Sequence, residues 1–149
     1  MKASSSTVQK IILLFWSIWY ALISLSNTAD FLKILGLFPK ELKFASGNFD
    51  AMVQTTAKFD IPMPVNTILF IGVLLLEYLG TFLFWKAFKN PEDKNIYAAH
   101  STGLILFGAF IFSDEIFIAY ALEGTHMRIF MALLISLTAL LILRRTKEN

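Results

Sequence analysis

The chain contains no cysteine, which excludes disulfides, thiol nucleophiles and thiolate metal ligands. Charge is scarce: Asp, Glu, Lys and Arg make up 16% of the residues, against about 25% in an ordinary soluble domain. The net charge is only +2 and no run of basic residues occurs, so neither nucleic-acid binding nor strong attraction to anionic lipid is indicated. Histidine is confined to His100 and His126. The four prolines are Pro39, Pro62, Pro64 and Pro91. They punctuate the edges of the apolar stretches, where a missing N–H costs a helix little.

Apolar residues are plentiful, at 56% of the chain and a mean hydropathy of +0.64. They fall into four runs, read as spans over 8–27, 64–88, 96–120 and 127–143, each near the ~17–25 residues that cross a bilayer as a helix. Continuous runs decide for helices over a β-barrel, whose strands would alternate in short segments. The expected fold is an all-α membrane protein, a single domain over 1–149 forming a four-transmembrane-helix bundle. Lys2, Lys10 and Ser24-Leu-Ser26 flank the first run as they would flank a secretory leader. Trp16, Trp19 and Tyr20 are too bulky for such a leader, so the run is read as a span.

The first connection is roughly 36 residues long, too long for a bare loop and too apolar for disorder. Short helices are expected over 30–38, ending before Pro39, and over 48–58, where Asn48 is a capping residue and Asp50 an acid in the first turn. Phe49, Met52, Val53 and Ala57 would share one face. The segment is read as an interfacial cap across the outer mouth of the bundle. Asn90-Pro91-Glu92-Asp93 is a short turn that makes the second and third spans antiparallel neighbours. Lys2, Lys10, Lys86, Lys89, Lys94, Arg144, Arg145 and Lys147 collect on the side of the termini, against Lys33, Lys40, Lys43, Lys58 and Arg128 on the other. This bias predicts a multi-pass membrane protein with both termini cytoplasmic and the long connection extracytoplasmic.

Within this apolar background Glu77 stands near the midplane, roughly 18–20 Å down from Pro64, while Asp114 and Glu115 lie roughly 8–9 Å below the outer boundary. Ionisable groups at such depth usually face a bundle interior or a wet cavity. Adjacent helical residues diverge by ~100°, so only one of Asp114 and Glu115 can point at Glu77. Glu115 is favoured, because Gly108 on its stripe would admit the second span, as Gly80 and Thr81 would beside Glu77. Arg128 is the expected counter-ion, with a planar donor fork suited to carboxylates. The expected buried network is thus Glu77, Glu115, Asp114 and Arg128, with Asn27, Asp30 and His126 at the rim of a pocket.

Glu77, Glu115 and His126 are acceptable metal ligands, but the Glu-x-x-His pattern of di-iron bundles is absent and no metal is expected. His100 and His126 fall on opposite faces of the membrane, which excludes a haem axial pair. Trp16, Trp19, Tyr20 and Tyr78 could stack on a lipid or a quinone; no other cofactor is indicated.

Asn27-Thr-Ala-Asp30-Phe31, Gly47-Asn48, Glu77 with the aromatic-rich stretch after it, Glu115, and Arg128-Ile-Phe130 together resemble a family of bacterial four-helix small integral membrane proteins of unknown function. Ile116 departs from that pattern, which tends to have an aromatic there. The resemblance implies four-helix topology and the selected polar positions, and no reaction. The expected role is a non-enzymatic accessory or ligand-binding subunit of a membrane complex. Its partners would be the lipid bilayer, other membrane subunits or a second copy of the chain, and no nucleic acid. Two other readings are a proton- or ion-coupled transport or redox component using Glu77, and a carboxylate/histidine metal-dependent membrane enzyme.

Overall fold

The structure, a computed structural model, describes residues 5–39 and 41–148. Lys2 and Lys40, which enter the charge count above, lie outside them. The elements are α1 (Ser5–Ile34), α2 (Asn48–Thr56) with a 3-10 turn at Ala57–Phe59, α3 (Met63–Lys89), α4 (Asp93–Ile116) and α5 (Tyr120–Glu148). There is no strand among the described residues. The helices α1, α3, α4 and α5 are long and apolar enough to cross a membrane, and the chain is an all-α four-helix bundle. Large apolar side chains face outwards around it, among them Ile68 at 69% exposure and Phe112 at 73%, as a lipid-facing surface requires.

Packing runs round a ring in which α3 lies between α1 and α4, and α4 between α3 and α5; α1 and α5 meet over a smaller area. The core centres on Tyr20 of α1, whose ring stacks on Phe84 at 5.4 Å and meets Trp19 edge-on at 5.2 Å. Two glycines receive it. A Cβ on Gly80 would lie 2.7 Å from Tyr20 Cδ1, and one on Gly103 would lie 2.5 Å from the Tyr20 hydroxyl. Small residues thus let α3 and α4 close on an aromatic wedge.

Three boundaries differ from expectation. No separate helix forms over 30–38: α1 runs unbroken through Asp30 to Ile34, because nothing between Ser26 and Ile34 breaks it. Gly36 ends it at φ 73, with Gly36 N–H donating to Lys33 O at 3.1 Å and Leu37 N–H to Leu32 O at 2.9 Å, the double bond of a glycine C-cap. At the other end of the bundle's sequence, α4 stops at Ile116 instead of continuing to Tyr120. Here Ile118 N–H donates to Glu115 O at 3.3 Å and Ala119 N–H to Asp114 O at 2.7 Å. The motif is the same, but Ile118, at φ 53, holds the position where glycine is usual. Helix α5 therefore begins at Tyr120, a full two turns before residue 127.

At the opposite end Arg144 Nε lies 2.7 Å from Asp93 Oδ1, and its Nη1 donates to Pro91 O. The far end of α5 is thereby tied to the α3–α4 turn.

Candidate functional site

Asn27, on the last turns of α1, places its amide between two helices. Its Nδ2 donates to Glu77 Oε1 at 2.7 Å, and its Oδ1 accepts from Asn48 Nδ2 at 2.8 Å. One turn on, Asp30 is 1% exposed. Its Oδ2 accepts from Phe49 N–H at 2.9 Å and from Ser46 Oγ at 3.4 Å. Asp30 is therefore the cap of α2, supplied from another helix, and the carboxylate meets the positive end of the α2 dipole. Asn48 does not cap α2: Gly47 occupies the N-cap at φ 75 and makes no side-chain cap bond, which frees Asn48 for Asn27.

The other end of α2 is held by Thr56 Oγ1 donating to Asn66 Oδ1 at 2.9 Å. Phe49, Phe70 and Leu74 form a small core beneath it with Phe31, Met52 and Val53 at its edge. The expected helical face thus forms except at Ala57, which is exposed because the 3-10 turn shifts the phase. Pinned at both ends, α2 roofs a cavity of about 560 Å³ with walls from α1, α3, α4 and α5.

Glu77 is part of that wall and 3% exposed. Oε1 has Asn27, whereas Oε2 is buried without a partner. Across the cavity Asp114 Oδ2 lies 2.5 Å from His126 Nδ1, and the His126 ring stacks on Phe110 at 4.8 Å. Both residues also line the cavity.

The expected network is corrected in two places. Glu115 is exposed and Asp114 is the buried member of the pair; the α4 face is set by Asp114, which the early helix end turns towards α5. Arg128 is exposed, and its Nε donates to Gly124 O at 2.7 Å. Because α5 starts at Tyr120, position 126 faces inwards and position 128 lies ~200° round the helix from it. The hydrogen-bond partner of Asp114 is thus His126, and among the described residues Glu77 has no basic partner. Comparison with protein-family models, curated proteins and solved structures finds no match.

The aromatic residues divide. Trp19 lines the cavity. Trp16 and Tyr20 are core residues packed on Phe84, and Tyr78 is 43% exposed with its hydroxyl 2.9 Å from Thr28 Oγ1. The expected four-residue stacking platform is not assembled. No group of three His, Asp or Glu side chains suited to a metal ion occurs among the described residues; Glu115 is too far round α4 to join Glu77 and His126.

A second polar cluster was not expected from the sequence. His100 is fully buried, with Nδ1 2.9 Å from Ile96 O and Nε2 3.0 Å from Ser136 Oγ. A carbonyl only accepts, so Nδ1 carries a proton, and the Ser136 hydroxyl that faces Nε2 also lies 3.0 Å from Leu133 O. Trp16 Nε1 donates to the same Ser136 oxygen at 3.0 Å. These partners satisfy one another and lace α1, α4 and α5 together. The sequence signal was present, since a histidine and a serine lay within apolar runs, but their pairing across helices was not readable.

Proposed function

We propose that this chain is a ligand-binding membrane subunit, and that the roofed cavity is its binding site. The observation that carries this reading is Glu77: a carboxylate in the wall of a largely apolar cavity, with one oxygen held by Asn27 and the other without a partner. A buried acceptor left unmade costs about 1–3 kcal/mol, which a donor on a bound molecule would offset. The size supports the reading too, since small-molecule sites run to about 300–1,000 Å³. In this reading the positive-charge bias puts both termini in the cytoplasm and the cavity in the outer half of the membrane.

A proton-carrying role for Glu77 is the second reading. It is favoured by the line of polar groups from Asp30 and Asn27 through Glu77 towards Tyr20, and weakened where the Tyr20 hydroxyl lacks a partner. The polar line is interrupted there, which argues for binding over conduction.

The test is native mass spectrometry of the protein released from its own membrane in mild detergent, beside Gly72→Phe. Gly72 is in the cavity wall and a Cβ there would meet nothing within 4 Å, so the position admits a side chain that takes up cavity space. A co-purifying small molecule that disappears in Gly72→Phe is expected. A ligand retained by Gly72→Phe, or a protein bare in both forms, rejects this cavity as the site.

A further inference from the structure

We infer that the occupant of this cavity is a lipophilic amine in its protonated form, its N–H⁺ on Glu77 and its apolar body against the aromatic wall. The inference rests on the binding role proposed above and adds the chemical class of the ligand.

Charge is the first argument. The ionisable groups lining the cavity are Glu77, Asp114 and His126, and no lysine or arginine is among the lining residues. Asp114 and His126 satisfy each other. Glu115 and Arg128 on α4 and α5 are exposed. Among the lining residues Glu77 is left as the acidic group without a basic counterpart. A buried unpaired carboxylate is unfavourable, and attraction to a cation grows as the surrounding dielectric falls.

Hydrogen-bond geometry is the second. Oε1 is engaged by the Asn27 amide at 2.7 Å, which fixes the carboxyl group, and Oε2 is buried without a partner. An ammonium N–H supplies donor and charge together, and such charge-assisted bonds are about twice as strong as neutral ones. The third argument is the wall. Trp19, Phe70, Phe107, Phe110 and Phe117 contribute to it, and aromatic faces attract cations through their quadrupoles. Hydrated or metal cations fit poorly, because Ca²⁺ asks for about 6–8 oxygen ligands and Mg²⁺ for octahedral oxygen geometry, which this wall does not offer. A neutral alcohol or phenol would offer a donor without the charge that distinguishes an amine.

The experiment uses the full chain in phosphatidylcholine nanodiscs and follows Trp19 quenching on titration with phenylbutylamine and with phenylbutanol, its neutral near-isostere. Tryptophan replaced by phenylalanine at positions 16 and 85 isolates the Trp19 signal. The amine is expected to bind at least about tenfold more tightly than the alcohol. Glu77→Gln, which keeps the acceptor for Asn27 and removes the charge, should abolish that preference while alcohol binding stays within about twofold. Gly72→Phe should remove binding of both.

An amine that fails to bind overturns the inference. So does an amine bound no better than the alcohol, or a preference that survives Glu77→Gln; in either case binding that is lost in Gly72→Phe leaves the cavity standing as a site for a neutral ligand. Binding of both probes undiminished in Gly72→Phe overturns the inference and the cavity reading together. Should Glu77→Gln fail to fold, the parent protein decides with phenylbutyltrimethylammonium, which keeps the charge and lacks an N–H: weaker binding than the amine is expected, and equal binding rejects the inference.

Discussion

Removing the hydroxyl of Tyr20 should stabilise this protein. Tyr20 is completely buried and its hydroxyl has no hydrogen-bond partner, so the folded state carries a desolvation penalty of about 1–3 kcal/mol. Phenylalanine keeps the ring, and with it the stacking on Phe84 and the edge contact with Trp19. What is lost is the dispersion of one oxygen against its neighbours, a few tenths of a kcal/mol at ~0.1–0.2 per atom pair. The expected net gain for Tyr20→Phe is about 1 kcal/mol.

The two glycines that hold this ring provide an internal control. Alanine at Gly103 would put Cβ 2.5 Å from the Tyr20 hydroxyl and 3.0 Å from a Leu133 methyl, an overpacking cost of about 1–3 kcal/mol. Combined with Tyr20→Phe, part of that cost disappears, a favourable coupling of at least about 0.5 kcal/mol. Alanine at Gly80 meets Cδ1 and Cε1 of Tyr20 at 2.7 and 2.8 Å. Those carbons persist in phenylalanine, so Gly80→Ala should not be rescued. Reversible unfolding in mixed micelles of rising dodecyl sulfate fraction, followed by far-ultraviolet circular dichroism, measures the parent, the three single variants and the two double variants. A Tyr20→Phe variant less stable than the parent by more than ~0.5 kcal/mol, or equal rescue at Gly80 and Gly103, would refute the reasoning.

Three further expectations follow from particular contacts. Asp30→Ala removes the cap of α2 and should cost about 1–2 kcal/mol, seen as faster amide exchange over Asn48–Thr56; unchanged protection there would show that Asn48 and Thr56 hold α2 without it. Asp114→Asn, which weakens the pair with His126, should lower stability by about 1–3 kcal/mol, while Glu115→Gln and Arg128→Gln stay within about 0.5; the reverse ranking in the same unfolding assay would restore the Glu115–Arg128 pair. Ile118→Gly should raise the unfolding midpoint, because a left-handed residue other than glycine costs roughly 1–2 kcal/mol, and a drop would mean that the Ile118 side chain outweighs its backbone strain.

Hydropathy alone located the four spans, because a bilayer imposes length and composition together. The polar positions Glu77, Asn27, Asp114 and His126 also stood out, as breaks in apolar runs. Their pairing did not, and the reason is angular. Adjacent positions on α4 diverge by ~100°; Gly108 on its stripe favours Glu115, whereas the helix buries Asp114. With the start of α5 placed at residue 127, His126 reads as a rim residue and Arg128 as the counter-ion; α5 begins at Tyr120, and its inner face carries His126 instead. The opposite held at Gly36, where a glycine after Lys33-Ile-Leu35 is a readable C-cap, and Pro39 was credited with a stop that Gly36 performs. Asp30 was legible as polar but not as a cap in trans, because a bond between residues far apart in sequence leaves no local pattern.

The tie between Arg144 and the α3–α4 turn gives the molecule a closed end and an open one. With Ser136 lacing three helices part-way along, the bundle is cross-braced towards the termini and carries its cavity at the other end, between α2 and the left-handed turn at Ile118.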